Sequence, residues 1–261
     1  MLFNFKSKKE KEKEKKEKEI LESWLKKFEP LAKTGVQLQK TEKKTFSKFG
    51  GAPFVPKDFV WPECEGKAIP FLLQLDFAEV NGEGVLENFP TKGLLYLFVD
   101  SDRVNYVGVD TEKEGFGYKE GKTFKILYFE DAKELSVADM PEGVDIYPEF
   151  NVEPKFVKTY PDTDDSDEAL EIFNDRPEEN MDEAYYDLIW DGIGEHQLGG
   201  WASYVQGGGF VEGGKTLLLQ VTSEEDDKFM WGDCGDLYFF ISEKDLQERN
   251  FNSVFLEMQC T

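Results

Sequence analysis

Gly50-Gly51, Leu72-Leu73-Gln74-Leu75 and Gly93-Leu94-Leu95-Tyr96-Leu97-Phe98-Val99 recur in the same order as Gly199-Gly200, Leu218-Leu219-Gln220-Val221 and Gly235-Asp236-Leu237-Tyr238-Phe239-Phe240-Ile241. Each set is a glycine pair, then Leu-Leu-Gln with an apolar residue, then Gly-x-Leu-Tyr-x-Phe-Val/Ile. The second glycine precedes the Gln by 23 residues in one set and 20 in the other, and the Gln precedes the next glycine by 19 and 15. Three ordered matches at comparable spacing read as an internal duplication. The apolar runs are short and hydrophobic on both faces, as expected of strands covered on both sides. A Gln recurring inside such strands must satisfy its amide. Gln74 and Gln220 are therefore expected to bond backbone, across a pseudo-twofold or in a loop, with a ligand-facing role as the alternative.

Working outward, Val104–Val109, Phe124–Phe129, Pro154–Tyr160 and Val254–Cys260 read as further strands. Ile20, Leu21, Trp24, Leu25 and Phe28 share one helical face that ends near Glu29, ahead of Pro30. Capping boxes are expected at Asp165/Glu168, opening Glu168–Phe173, and at Asn180/Glu183, opening Met181–Trp190, with Gly192 as its stop. Ser242 and Asp245 cap a short helix to Arg249. The pattern predicts an α+β fold, a β-rich single domain of two duplicated antiparallel β units with peripheral helices. Repeat one covers about 46–110, a middle segment 111–190 and repeat two about 191–261; residues 1–19 form a Lys/Glu-rich helical or disordered tail.

The chain has 261 residues, with 31 Lys and Arg against 54 Asp and Glu, a formal net charge of −23. Its 23 Phe, 10 Tyr and 5 Trp supply an ample core. The charge repels nucleic acid, and three arginines in all (Arg103, Arg176, Arg249) weaken a phosphate-recognition reading. The longest apolar run, Leu94–Val99, is six residues against the roughly 20 of a spanning helix, so no membrane association is expected. Three cysteines without a CxxC pair, and no signal-peptide pattern, point to a reducing cytoplasm.

Several motifs tempt a catalytic reading. Gly209–Thr216 matches a Walker A pattern and Leu95–Asp100 a Walker B pattern. A P-loop leads from a strand into a helix whose amides hold phosphate, whereas Thr216 runs into the strand pattern Leu217–Val221, so nucleotide hydrolysis is rejected. Cys64, Cys234, Cys260 and His196 make a Cys₃His inventory without a local pair, so neither zinc nor any cofactor is expected. The acidic runs Asp162–Glu168 and Glu224–Asp227 read as solvated loops; the first lacks the Gly and Glu of a calcium loop. His196, the single histidine, precedes Gln197-Leu198-Gly199-Gly200-Trp201 and is expected to fix that turn; ligand contact and catalysis are the sharper alternatives. The segment Gly50–Pro62, with Trp61, reads as a rigid loop laid over the core or as an aromatic groove.

GGAPFVPKDFVWP, FLLQLDFAEV, GLLYLFVD, HQLGG and WGDCGDLYFFISEKDLQERNFNSVFLEMQC together resemble the YwqG-like family of bacterial proteins over roughly Phe49 to Cys260. The resemblance implies a cytoplasmic α+β fold with duplicated β units and no established activity. His196, Gly199 and Gly200 match the family's His…Gly turn, and Gly232, Asp233 and Gly235 its Gly-Asp-x-Gly turn, with Cys234 standing where a small residue is expected.

The sequence favours a non-enzymatic binding protein that engages a basic protein partner, such as a toxin or nuclease, through an acidic surface and the aromatic loop. His196, Gln197, Gly199, Gly200, Trp201, Trp61, Gln74, Gln220, Asp233 and Asp236 are the candidate binding residues. The alternatives are a hydrolase-like enzyme using His196 with Asp233 or Asp236, and a small-molecule or calcium-binding protein.

Overall fold

The computed structural model describes residues 8–106, 118–119, 123–190, 195–208, 214–224 and 228–260. Eleven strands among these build one antiparallel sheet: β1 (Lys33–Thr41), β2 (Lys48–Phe49), β3 (Phe71–Asp76), β4 (Leu94–Val99), β5 (Tyr118–Lys119), β6 (Phe124–Phe129), β7 (Phe150–Thr159), β8 (Gln197–Gly199), β9 (Lys215–Thr222), β10 (Asp236–Ser242) and β11 (Phe255–Gln259). Their order is β5-β11-β10-β9-β8-β1-β7-β2-β3-β4-β6. Laid flat, eleven strands span about 48 Å. The end strands β5 and β6 are joined by residues 120–123, a link that reaches at most about 19 Å. The sheet therefore has to curl, and Phe124 of β6 meets Phe239 of β10 at a ring distance of 5.3 Å.

Curling puts one face inside. Leu73, Leu97 and Ile126 from one half share a core with Leu219, Phe239 and Leu256 from the other, closed by Val36 and Val152 of the central pair β1–β7. The outer faces are covered separately. Phe71, Tyr96 and Phe98 lie under the segment after Gly51, which contributes Val55, Phe59, Trp61 and Ile69. Leu217, Tyr238 and Phe240 lie under Ala202 and Tyr204. Helix α1 (Lys8–Leu25) continues as a 3-10 turn to Leu31 and buries Trp24 and Phe28 against Tyr160, α4 (Asp167–Asn174) and α5 (Asp182–Ile189). Three short helices, α2 (Phe77–Val80), α3 (Ser101–Tyr106) and α6 (Glu243–Gln247), follow strands β3, β4 and β10. No described helix is long and apolar enough to cross a membrane.

The two Leu-Leu-Gln strands carry the same irregularity. The register slips between Phe71 and Leu73 against β4, and between Leu217 and Leu219 against β10, a bulge two residues ahead of the next Gln in each case. Gln74 then stands opposite Tyr96, and Gln220 opposite Tyr238. The preceding glycine pairs turn left-handed, at φ +56° and +65° for Gly50 and Gly51 and +63° and +75° for Gly199 and Gly200.

Some elements differ from the sequence reading. Val104–Val109 is not a strand as far as it is described: Ser101–Tyr106 is helical, because Asp100 accepts the Arg103 amide (3.0 Å) and caps it; 107–109 lie outside the described residues. Ser166, not Asp165, caps α4 through the Ala169 amide, and α5 begins at Asp182 with Met181 at its cap and no side-chain bond there. The α-helix of residues 20–29 stops at Leu25 because Pro30 forces a tighter turn, and α1 runs unbroken through residue 19. The helix after β10 ends at Gln247, short of Arg249.

A Cβ on Gly50 would sit 2.3 Å from the carbonyl oxygens of both Tyr147 and Pro148, whereas one on Gly66, also left-handed, would meet nothing within 4 Å. Gly66→Ala should cost about 1 kcal/mol from conformation alone, and Gly50→Ala about 3 kcal/mol or more. Urea denaturation of both variants checks the difference; equal losses would show that close approach is not what fixes the turn.

Candidate functional site

The Gly199–Gly200 turn carries Trp201 to the outer surface, where its indole donates to the Leu31 carbonyl at 2.8 Å. The Lys33 ammonium lies over the Trp201 ring, 3.6 Å from its centroid. Two adjoining clefts of about 290 and 300 Å³ meet here and share Lys33, Gly200, Thr216 and Glu243. The second continues past Trp201 to Asp165 and Tyr204. Burial on the ring pushes the Lys33 ammonium down, and Glu243 and Asp165 pull it back.

His196 lies on the other side of the same strand, inside the curl, and is 5% exposed. Its ring packs on Phe49 (4.4 Å), Phe229 and Phe150. Nδ1 accepts the Thr222 amide at 3.1 Å, so the neutral ring carries its proton on Nε2 and donates to Glu224 Oε1 at 2.8 Å. The other Glu224 oxygen pairs with Lys40. Burial raises the Glu224 carboxyl, but the hydrogen bonds from His196 and Lys40 outweigh it and hold the group below its ordinary value. The carboxylate hydrogen-bonded to His196 is therefore neither Asp233 nor Asp236. Asp233 is exposed, and Asp236 is bonded to Gln220 and Tyr238. Nor is Glu224 part of a solvated loop; residues 225–227 lie outside the described residues. His196 lines neither cleft; three phenyl rings pack on it, and the Lys40–Glu224–His196 chain links the end of β9 to β1 and β8.

Gln74 and Gln220 bond backbone in loops. Gln74 accepts from the Phe54 amide (2.8 Å) and donates to the Phe46 carbonyl (2.8 Å). Gln220 accepts from the Ser203 amide (3.0 Å) and donates to the Ser203 carbonyl and to Asp236. Their cross-strand partners do the same work, since Tyr96 donates to Phe54 and Tyr238 to Ser203. Gln197 bonds the Gly199 and Trp201 carbonyls and holds the glycine turn. Trp61 lies across the Phe98 ring at 5.3 Å and, with Phe59, walls a groove of about 410 Å³.

The outer face of β10–β11 sets Asp236, a candidate from the sequence, beside Glu257 and Gln259, which the sequence reading missed. Asp236 stands opposite Gln259, and Tyr238 opposite Glu257. Glu257 is 2% exposed; Oε1 accepts from Gln259, and Oε2 has no partner among the described residues. Burial raises both carboxyls, Glu257 to about 7. The segment Ser203–Gly207 straps over this array: the Ser203, Val205 and Gln206 amides donate to Gln220, Tyr238 and Gln259, and Gln259 donates to the Gly207 carbonyl.

Other motifs resolve as structure. Lys215 and Thr216 open strand β9, and Gly209–Gly213 of the Walker-like run lies outside the described residues. Asp100 is a helix cap that also pairs with Arg103 Nε at 3.1 Å. The three cysteines are free: Cys64 is buried under the outer face and Cys234 is exposed. Among the described residues no group of three or more His, Cys, Asp or Glu has a metal-holding arrangement.

A family model described as a domain of unknown function, DUF1963, matches residues 47–260. No curated protein gives a significant match.

Because the folded Glu257 carboxyl titrates near 7, the folded state keeps a proton that the unfolded chain has released. That contribution is complete below the ordinary glutamate value and is lost as pH climbs to about 7. Glu257→Gln should remove the loss, so that from pH 4 to pH 8 the variant gains about 2–3 kcal/mol relative to wild type. Parallel pH–stability curves would exclude it.

Proposed function

The chain belongs to the DUF1963 family, and from that premise we propose that it is a binding protein, not an enzyme, that docks a basic protein partner on an acidic helical face. The observation that carries this reading is where the charge lies. Residues 161–190 hold twelve Asp and Glu against one Arg, close to half of the chain's net −23. The same segment forms α4 and α5, and there Leu170, Tyr186 and Trp190 stay exposed. Tyr186 and Trp190 are one turn apart and stack at 4.9 Å. Aromatic faces ringed by carboxylates suit the side chains of Lys and Arg. Arg176 already uses the motif internally, lying 4.7 Å over Phe173. A field of this sign speeds capture of a basic partner, and a toxin or nuclease is of that kind.

The aromatic loop of residues 50–62 has a smaller part here than its composition implies, because Phe59 and Trp61 turn inward onto Phe98. We also read the two halves as copies of one ancestral unit, on the shared bulge, Gln–Tyr register and glycine turns. The YwqG-like resemblance and a cytoplasmic setting, where free cysteines persist, belong to the same reading.

The test compares wild type with Tyr186→Ala/Trp190→Ala as bait in an extract of the native host. A basic protein retained by wild type at about 50 mM salt, released at several hundred millimolar and lost with the double variant is the expected result. Equal retention by both baits, or retention indifferent to salt, would overturn the proposal.

A further inference from the structure

We infer that the cleft beside the Gly199–Gly200 turn is a recognition site for an alkylammonium group and that Lys33 is its built-in occupant. Three observations lead there. The Lys33 ammonium sits 3.6 Å from the centre of the Trp201 ring, the geometry of a cation held by an indole face. Glu243 and Asp165 line the same cleft of about 300 Å³ and both act electrostatically on that ammonium, yet no described carboxylate comes within salt-bridge distance of it. Lys33 and Glu243 are also exposed, so the occupant can leave and another can enter without unfolding anything.

The floor is rigid. Trp201 is fixed by its indole bond to Leu31 and by its amide bond to Thr159 at 2.8 Å. Gln197 holds its carbonyl. Tyr204, the next aromatic wall, donates to Asp165. Such a cleft surrounds one exposed cation with hydrogen-bonded parts. The second lysine of the cleft, Lys215, is directed to the Phe255 ring, 4.8 Å away, and does not cover Trp201. A ligand with a primary or methylated ammonium on a slim alkyl stem, a lysyl side chain being the simplest, competes with Lys33 for the same ring and the same two carboxylates. The two proposals rest on different rings, Trp201 here and the Tyr186–Trp190 pair there, so either can fail alone.

The experiment titrates Nα-acetyl-lysine methylamide into the nitrogen-15-labelled full chain and follows the Trp201 indole N–H resonance, assigned by its loss in Trp201→Phe. The expected result is a saturable shift in wild type, binding about tenfold tighter in Lys33→Met, where the occupant is gone, and weaker binding in Glu243→Gln. Both substitutions are at exposed positions, and unchanged spectra elsewhere confirm the fold. A Trp201 resonance that ignores the probe in wild type and Lys33→Met overturns the inference. So does equal binding by these two proteins. A shift produced by acetate or inorganic phosphate but not by the lysyl probe would make Lys33 an anion receptor and overturn it as well.

Discussion

A buried amide and a phenol, side by side on neighbouring strands, hold this molecule in shape. Gln74 with Tyr96, and Gln220 with Tyr238, take the backbone that leaves each glycine turn and fasten it to the outer face of the sheet. Without them, three or four polar groups in each half would be left unpaired in an apolar layer, at about 1–3 kcal/mol apiece. The clamp explains the bulge that precedes each Gln, since a slip of one residue re-aims the side chain to the face where the loop lies. It also explains the left-handed glycines, which let the chain reverse close enough to be caught. Covering the outer faces in turn frees the inner face to close on itself, and so the long sheet can curl around one core.

Much of this was legible in the chain because it is written in local, periodic signals. The repeated Gly-Gly, Leu-Leu-Gln and Leu-Tyr-x-Phe segments marked the strands, and a Gln inside an apolar run was expected to bond backbone. What could not be read was pairing across the sheet. The central pair β1–β7 joins residues 33–41 to 151–159, and nothing in either segment names the other. The same limit hid the partner of His196. Glu224 sits in an acidic run that looks solvated, and only the bridge that brings Phe229 back to it shows that its first carboxylate is inside. Val104 misled for the opposite reason: its alternation suited a strand, but the cap at Asp100 decided for a helix.

The two halves keep the clamp and differ in what surrounds it. At the register positions where one half has Leu94, Leu127 and Phe129, the other has Asp236, Glu257 and Gln259. An apolar layer costs nothing to bury, whereas the carboxyl pair costs protons, as the raised Glu257 and Asp236 values attest. The polar half is also the half with the strap at Ser203–Gly207, the cleft at Trp201 and, close by, Asp165 at the start of the acidic helical segment.

These features converge on a division of labour. In the apolar half Phe59 and Trp61 pack against Phe98 beside the groove they wall. The polar half is where an ammonium already rests on a half-buried indole. Electrostatics gives the surface its reach, because an excess of carboxylates acts over about a Debye length. The rings give it selectivity, because only a cation that can shed water onto a π-face benefits from them. Here the one histidine is closed behind three phenyl rings, and what lies open is a set of carboxylates and aromatic faces.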